Sequence, residues 1–545
     1  MAKDKQTKEK KIKREEPQLS RISEIRNGEF VRYYGKQEEV IVPDSVTVIS
    51  AEAFRGNKHI KRVVLGRGVG VIRASAFSGC SKLESIVLPD GLSEICDRAF
   101  YGCESLAEVV LPDTVNRIGS HAFHGCRSMR RLVLSKEIVL IRDFAFYDCE
   151  SVEELTLPEG LSEISRATFF NCKSLRKICI PPSVKIVSKY AFAHCASLKE
   201  LEMPEELAYL GRGVVTGCTS LTRFDVPRGI GFIGDYFFAG CTSLQSVSMP
   251  DEINFIGREA FCGCESLSEI RLPQSLEYVG YAAFLGCTAL KELRVPKSVH
   301  EISKKTFACC GALESVSFET EELSVLDDES FAYCTSLERI VLPDCIEEIG
   351  DKAFYRCVRL TSIHIPRRLR YLGNRAFADC ELLQSVSLPI MLREIGEHAF
   401  SGCTSLTTVI LPDHKVSVHS MVFAHCNALD VLVVSDSVSA LNRKREKWLV
   451  RSEAKIVLHS ELKIALMFSE FAKADHEKKA LLRAEIRRLI DRLKKRNHLN
   501  TSAVVRTTIS SAVHAIGEQI KMGEQQEAEI ASDTDAESEE PLDRD

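Results

Sequence analysis

One pattern of apolar residues repeats along most of the chain. After Phe54, a Phe recurs at every 23rd position as far as Phe307, except that Val215 takes the place of one Phe. One extra residue precedes Phe331, and the 23-residue spacing then continues to Phe423. The sequence thus holds 17 copies of one unit, and self-similarity at a fixed period of this length is the signature of a repeat architecture.

Within a unit, the apolar positions predict a short β-strand. In the copy that spans residues 99 to 121, Val109 and Leu111 alternate with Glu108 and Val110. This two-residue period is typical of a strand with one buried face. Pro112 follows and ends the strand, because proline cannot donate a hydrogen bond to a neighbouring strand.

Two further segments complete the unit. The run from Ala99 to Cys103 is too short for an independent helix, so we expect a turn of helix that its Phe holds against the core. Val115 and Ile118 predict a second short extended stretch on the opposite wall. A single unit cannot bury its own apolar residues, whereas stacked units pair their strands in a parallel sheet and place each Phe on the previous one. The predicted fold class is α/β, a solenoid.

The repeat resembles a known family. The string L-x-x-V-x-L-P-x-x-V-x-x-I-G-x-x-A-F-x-G-C, nearly complete from Leu106 to Cys126, is similar to the BspA-like leucine-rich repeat. The resemblance covers about three quarters of the chain, and the copy at 211 to 218 departs from it with Val214 and Val215 in place of Ala-Phe. It implies a curved, right-handed leucine-rich repeat solenoid that binds macromolecules, often as a surface adhesin.

The composition divides the chain into five segments. We expect a disordered basic arm at 1–20, an N-terminal cap at 21–53 and the solenoid at 54–441, with the first repeat begun at 43. A basic C-terminal α-helical cap at 442–522 and a disordered acidic tail at 523–545 follow. The helical cap is predicted because apolar residues, Ile456 among the first, take helical spacing once the 23-residue period stops.

The predicted helical cap carries a net charge of +10, from 19 Lys/Arg and 9 Asp/Glu. The basic residues either form its solvated face or bind an anionic partner such as nucleic acid, anionic lipid or an acidic protein. The acidic tail either masks this surface or serves solubility. The candidate basic surface consists of Lys478, Lys479, Arg483, Arg487, Arg488, Arg492, Lys494, Lys495 and Arg496.

The cysteines invite a metal or disulfide interpretation, which their spacing argues against. Of 21 Cys, 16 follow the Phe position by three residues, from Cys80 to Cys426, and Asn57 fills the slot in the first copy. We therefore expect a buried ladder of small hydrogen-bonding side chains. No paired Cys-x-x-Cys motif predicts zinc, and His124 and His194 fall in a turn slot that varies between copies. No catalytic motif, metal site, cofactor site or transmembrane segment is predicted.

The outward residues of the sheet lie eight and ten positions after each Phe and provide a surface map. The map contains an exposed valine strip and an acidic field, and both are candidate partner-binding residues. The strip consists of Val64, Val87, Val110 and Val133, and the acidic field of Glu154, Glu200, Glu202 and Asp225. Cross-strand pairing is the structural alternative for the valines, whereas like charges on adjacent coils favour a basic partner.

The sequence therefore predicts a non-enzymatic binding or scaffold protein whose sheet face recognises a protein or a glycan. One alternative is a cell-surface adhesin exported without a classical signal, since no apolar signal segment follows the basic N-terminus. Another is a nucleic-acid- or membrane-associated regulator that acts through residues 442–522. The many unpaired thiols favour a cytoplasmic location over the cell surface.

Overall fold

The computed structural model describes residues 22–419, 421–435 and 455–459, together with the single positions 462, 463, 467, 481, 482, 485 and 488. The chain forms two compact units, Met1–Leu290 and Lys291–Asp545. Each unit is a stack of coils, and runs of neighbouring coils pair their strands in parallel. Arg131–Val133, for example, pairs in register with Glu108–Val110, one repeat earlier.

The first unit begins with an antiparallel hairpin, Ser23–Arg26 with Glu29–Tyr33, in the segment where the sequence predicts the N-terminal cap. The hairpin continues the stack, because Glu29 and Phe30 pair in parallel with Val48 and Ile49. The outward-facing strands that follow form the sheet wall: Glu39–Ile41, Arg62–Val64, Ser85–Val87, Glu108–Val110, Arg131–Val133, Lys177–Cys179, Glu200–Glu202, Arg223–Asp225 and Ser246–Ser248.

A second wall of two-residue strands lies in the segment where the sequence predicts a second extended stretch. In the first unit these strands are Val48–Ile49, Val71–Ile72, Glu94–Ile95, Arg117–Ile118, Leu140–Ile141, Glu163–Ile164, Ile186–Val187, Tyr209–Leu210, Phe232–Ile233, Phe255–Ile256 and Tyr278–Val279. The second residue of each strand is buried and the first is partly or fully exposed. This alternation is the two-residue period of a strand with one buried face.

The second unit repeats the same two walls. Its sheet-wall strands are Glu292–Val295, Ser315–Phe318, Arg339–Val341, Ser362–His364, Ser385–Ser387, Thr408–Ile410, Val431–Val434 and Lys455–Leu458. Its second-wall strands are Glu301–Ile302, Val325–Leu326, Glu348–Ile349, Tyr371–Leu372, Glu394–Ile395 and Ser417–Val418.

The third side of each coil, the turn wall, corrects the sequence prediction of a helical turn. Arg98, Phe100 and Gly102 donate backbone hydrogen bonds to carbonyls of the next coil, whereas Ala99 and Tyr101 donate to residues three positions earlier. Left-handed φ angles of 56° at Arg98 and 69° at Gly102 produce this alternation and interrupt helical geometry. Between residues 23 and 435 the described chain contains no helix, so the solenoid is a parallel β-solenoid and the α/β class is wrong.

The core contains the predicted stack of phenylalanines. Phe77 and Phe100, for instance, have ring centroids 5.1 Å apart and planes 1° from parallel. The stack is interrupted at buried Val215. Phe224 and Phe237 then pack edge-on against Phe238, with centroids 5.2 Å and 4.6 Å from its ring. These two extra rings restore aromatic volume beside the interruption, which the sequence analysis did not anticipate.

The 16 repeat cysteines are buried free thiols, arranged as the ladder hypothesis expects. The ladder thiols donate to the carbonyl at the Phe position of the preceding coil, as in Cys103 Sγ, which donates to Phe77 O over 3.2 Å. In the first copy Asn57 Nδ2 takes this role and donates to Gly35 O over 3.0 Å. The position three residues after the Phe therefore requires a small side chain that can donate a hydrogen bond. Burial raises the pKa of the Cys80 thiol to about 12.

The C-terminal segment differs from the prediction of an all-helical cap. Lys455–Leu458 is a strand that pairs in parallel with Val431–Val434, so Ile456 extends the sheet instead of opening a helix. The single positions described between 462 and 488 have helical backbone, but the described residues contain no complete helix. Most of the predicted 442–522 cap, the 1–20 arm and the 523–545 tail lie outside the described residues.

Candidate binding surface

The valine strip lies on the sheet wall of the first unit. The side chains of Val87, Val110 and Val133 are 45%, 46% and 37% exposed, and Val64 is half-buried. The residue between the two outward positions points inward, as buried Val109 shows. The strip is therefore a contiguous apolar surface on four neighbouring coils, as the outward columns of the sequence predict.

Beside the valine strip runs a column of charges, eight residues after each Phe position. It alternates in sign over six coils, and we call its ten members the charge column: Arg62, Ser85, Glu108, Arg131, Glu154, Lys177, Glu200, Arg223, Ser246 and Glu269. All eight charged members are exposed. Arg131 forms an ion pair with Glu108, and Lys177 Nζ lies 2.7 Å from Glu200 Oε2.

The predicted acidic field is mixed in charge, which corrects its interpretation. Lys177 lies between its members and also contacts Glu202, with Nζ 3.0 Å from Oε1. Arg223 contacts Asp225 over 3.0 Å. Hydrogen bonds to Glu200 and Glu202 raise the pKa of Lys177, and the bond from Lys177 lowers the pKa of Glu202. Like-charge repulsion therefore does not single out these carboxylates.

Lys177 and Arg223 are the residues that the sequence analysis overlooked. Both occupy the column from which Glu154 and Glu200 were chosen, and each lies one repeat after one of these carboxylates. Cross-strand neighbours on one face interact directly, so opposite charges at this spacing form pairs. Examining every coil of the column in order reveals the alternation without a structure.

The sheet wall of the second unit ends under part of its own chain. Leu462 packs with Val431 and Val433, and all three are buried, with half-buried Ile410 at the edge of the cluster. His459 Nε2 also donates to Leu411 O over 2.5 Å. Outward positions here are thus covered, whereas the equivalent positions of the valine strip are open.

The turn wall carries aromatic columns at positions that the sequence analysis treated as a turn slot that varies between copies. The ring of His124 stacks between those of Tyr101 and Tyr147, with centroids 4.7 Å and 4.6 Å away. Beside it, His121 stacks on Phe144 at 4.6 Å. Burial, followed by nearby cationic side chains, lowers the pKa of both histidines. The rings of both histidines therefore pack as part of the turn wall.

The candidate basic surface of residues 478–496 lies outside the described residues, except that Arg488 is exposed. Over the described ranges, no three His, Cys, Asp or Glu side chains converge to hold a metal ion. The described helical positions do not include a segment with the length and apolar character of a membrane span.

Three solved structures illustrate what the chain is similar to. A leucine-rich repeat protein from Bacteroides ovatus is 22% identical, covers 80% of this chain and 97% of its own, and has a TM-score of 0.43. A leucine rich cell surface protein from Faecalibacterium prausnitzii is 21% identical, with coverages of 77% and 96% and a TM-score of 0.31. A leucine-rich repeat protein from Eubacterium ventriosum is 20% identical, with coverages of 63% and 83% and a TM-score of 0.38.

No curated protein matches the chain. The model of the BspA type leucine rich repeat region, which holds six copies, matches residues 23–149, 116–243, 231–357 and 324–444. Together these matches span the coils whose Phe stack, Cys ladder and paired strands are described above. The chain therefore belongs to the BspA type leucine-rich repeat family.

Proposed function

We propose that the protein is a non-enzymatic scaffold that binds a macromolecular partner, a protein or a glycan, on the sheet wall of its first unit. Repeats of this family typically mediate protein binding or adhesion. The observation that carries the proposal is the open valine strip beside the charge column. An apolar surface bordered by charges is typical of an interaction site.

The comparison within the chain supports this choice of surface. At the end of the second unit the outward positions Val431 and Val433 are buried under Leu462. In the first unit Val87 and Val110 occupy the position equivalent to Val433 and are close to half exposed. The chain thus covers apolar outward residues at one end and leaves a row of them open at the other, where a partner can bury them.

We propose a cytoplasmic location for this activity. All 21 cysteines are free, and Cys179 and Cys309 are exposed. Exposed free thiols persist in reducing compartments and are oxidised or paired in secreted proteins. Fractionation of the native cells with an antibody to the chain tests this proposal, and recovery at the cell surface would contradict it.

A photo-crosslinking residue at position 110 tests the binding proposal. In native cells it should trap a partner, and Val110→Glu should prevent the capture without loss of folding. Val139 provides the matched control, because it is a 55% exposed valine that lies outside the sheet wall. A crosslinker at 139 and the Val139→Glu variant should have no effect on capture.

The outcome against the proposal is equally definite. Equal capture from positions 110 and 139, or full binding by folded Val110→Glu, would exclude the valine strip as the site. The predicted basic surface at residues 478–496 would then be the next region to test.

A further inference from the structure

The charge column of the first unit is complementary to its own reverse. When the ten positions are read backwards, every acid meets a base and each serine meets a serine. We propose that this sheet wall binds a second copy of the chain in antiparallel orientation. The proposal rests on the proposed function, since it names the partner of the same surface. It describes an isologous twofold interface, in which one patch contacts itself.

The twofold axis lies parallel to the strands, between the coils of Glu154 and Lys177. It places Glu154 opposite Lys177 of the second copy and, one coil further out, Arg131 opposite Glu200. The next coils place Glu108 opposite Arg223. Any run of six regularly alternating charges matches its own reverse in this way. The positions that flank the run therefore provide the independent check. Ser85 meets Ser246, and Arg62 meets Glu269, which completes the match.

The ion pairs within one chain do not include every charged residue of the charge column. Among the described residues, Glu154 and Glu269 are exposed and have no ion-pair partner. The twofold axis brings each of them to a base, Lys177 and Arg62 of the second copy. Charge pairing within one chain does not explain why Glu154 and Glu269 also match bases of a second copy.

The neighbouring column, ten residues after each Phe position, opposes no like charges across the axis. Val110 faces Asp225 and Val133 faces Glu202. Within the chain, Glu202 already contacts Lys177 at 3.0 Å, and Asp225 contacts Arg223 at 3.0 Å. These contacts keep both carboxylates paired, although apolar against acidic contact weakens the interface.

Neighbouring coils are hydrogen-bonded on all three sides, as the coils of Phe100 and Phe123 show. Glu108 pairs with Arg131 on the sheet wall, and Arg117 pairs with Leu140 on the second wall. On the turn wall, Phe100 N donates to Ala122 O over 2.7 Å. Where strands of neighbouring coils pair, backbone hydrogen bonds set a rise of about 4.8 Å per coil. On the sheet wall these paired runs are Glu39–Ile41 to Arg131–Val133, Lys177–Cys179 with Glu200–Glu202, and Arg223–Asp225 with Ser246–Ser248.

The expected contact is small. Ten coils at about 4.8 Å, with a strip on the order of 12 Å wide, bury about 500 Å² on each copy, or about 1,000 Å² in total. This lies at the lower limit for a specific interface, so the dimer should be weak and readily reversible. Because charge pairs at the surface dominate it, salt should weaken it further.

Two charge reversals test the register directly. Glu154→Lys places lysine opposite Lys177, and Lys177→Glu places glutamate opposite Glu154, so each variant alone should lose about tenfold or more in self-association. Mixed together, they should recover parental association, because each altered residue then faces an opposite charge. Glu137→Lys, an exposed reversal outside the sheet wall, is the control and should associate like the parent. Sedimentation and fluorescence transfer between labelled copies measure these states.

The readings separate this proposal from the proposed function. A parent that stays monomeric at about 0.1 M salt, or a mixture of the two variants that associates no better than either alone, overturns the dimer. If the crosslinker at Val110 still traps another macromolecule in that case, partner binding on the sheet wall stands. If it traps nothing as well, both proposals fail.

Discussion

The two glycines of the repeat motif serve different purposes, and a pair of substitutions separates them. Gly102 has a left-handed φ of 69°, and a Cβ there would meet nothing closer than Gly79 Cα at 3.9 Å. Its requirement is therefore conformational. At Gly119 the φ angle is not left-handed, but a Cβ would lie 2.4 Å from Asp97 N and 2.5 Å from Cys96 C. That requirement is steric.

The magnitudes follow from these geometries. An alanine with left-handed φ costs about 1–2 kcal/mol. Alanine also lowers the conformational entropy of the unfolded chain, which offsets part of this cost. Gly102→Ala should therefore destabilise its coil by about 1 kcal/mol. Asparagine tolerates this region, and Asn171 holds the equivalent position with a φ of 60°. Gly102→Asn should therefore cost only a few tenths of a kcal/mol, as an order-of-magnitude estimate. Gly119→Ala forces backbone movement and should cost about 3 kcal/mol.

Hydrogen exchange followed by mass spectrometry is the appropriate assay. A long repeat array unfolds by parts, so one unfolding midpoint does not report the stability of one coil. Peptides that cover residues 98–130 should exchange faster in Gly102→Ala and fastest in Gly119→Ala. Asparagine should restore protection at position 102 and not at 119. Equal protection for Asn and Ala at 102, or recovery with Asn at 119, would refute this reasoning.

Three other predictions concern stability and access. Burial raises the pKa of Cys103 far above its ordinary value. Native stability should therefore fall as pH rises above about 9, where the thiols of the unfolded chain ionise. A denaturant midpoint of unfolding that stays constant from about pH 8 to 11 would contradict this. Burial lowers the pKa of His121 and His124, so their contribution to stability should be lost as pH falls below about 6.5, and replacing both with Phe should remove that dependence on pH. Leu462→Asp should expose Val433 and increase binding of a hydrophobic dye, whereas Leu481→Asp, at a 73% exposed position, should not.

The main walls of the fold could be predicted from the sequence because they depend on local alternation. Apolar Val109 beside exposed Val110 is a two-residue pattern, and Pro112 marks where the strand must end. The 23-residue Phe spacing predicts the stack, since identical coils bury identical residues. The exposed valine strip follows from the same alternation.

The turn wall could not be inferred from apolar pattern alone. A short run such as Ala99 to Cys103 fits a turn of helix and a series of β-turns equally well. The distinguishing signal is the residue two positions after the Phe, which is Gly102 in one copy and Asn171 or Asp148 in others. These residue types tolerate left-handed φ and indicate turns.

The repacking around Val215 could not be predicted, because it depends on residues from two coils. Phe224 replaces the usual aliphatic residue of the strand, and Phe237 replaces the usual alanine before the Phe position. Only the structure shows their rings meeting at Phe238, 5.6 Å apart from centroid to centroid. We therefore expect local opening near residues 205–225 to be less pronounced than the Val215 substitution alone implies.

The same backbone supports two different sheet walls, and this contrast favours the first unit as the binding region. Buried Phe and Cys ladders and coil-to-coil hydrogen bonds determine each coil, which leaves the outward columns free to vary. In the second unit the column eight residues after the Phe position includes Ser315, Ser362 and Ser385 and ends at Val431 under Leu462. In the first unit it alternates in charge beside an open valine strip. Pairing between neighbouring strands accounts for the alternation of charge within one chain, and the dimer proposed above accounts for the complementary order of the flanking positions.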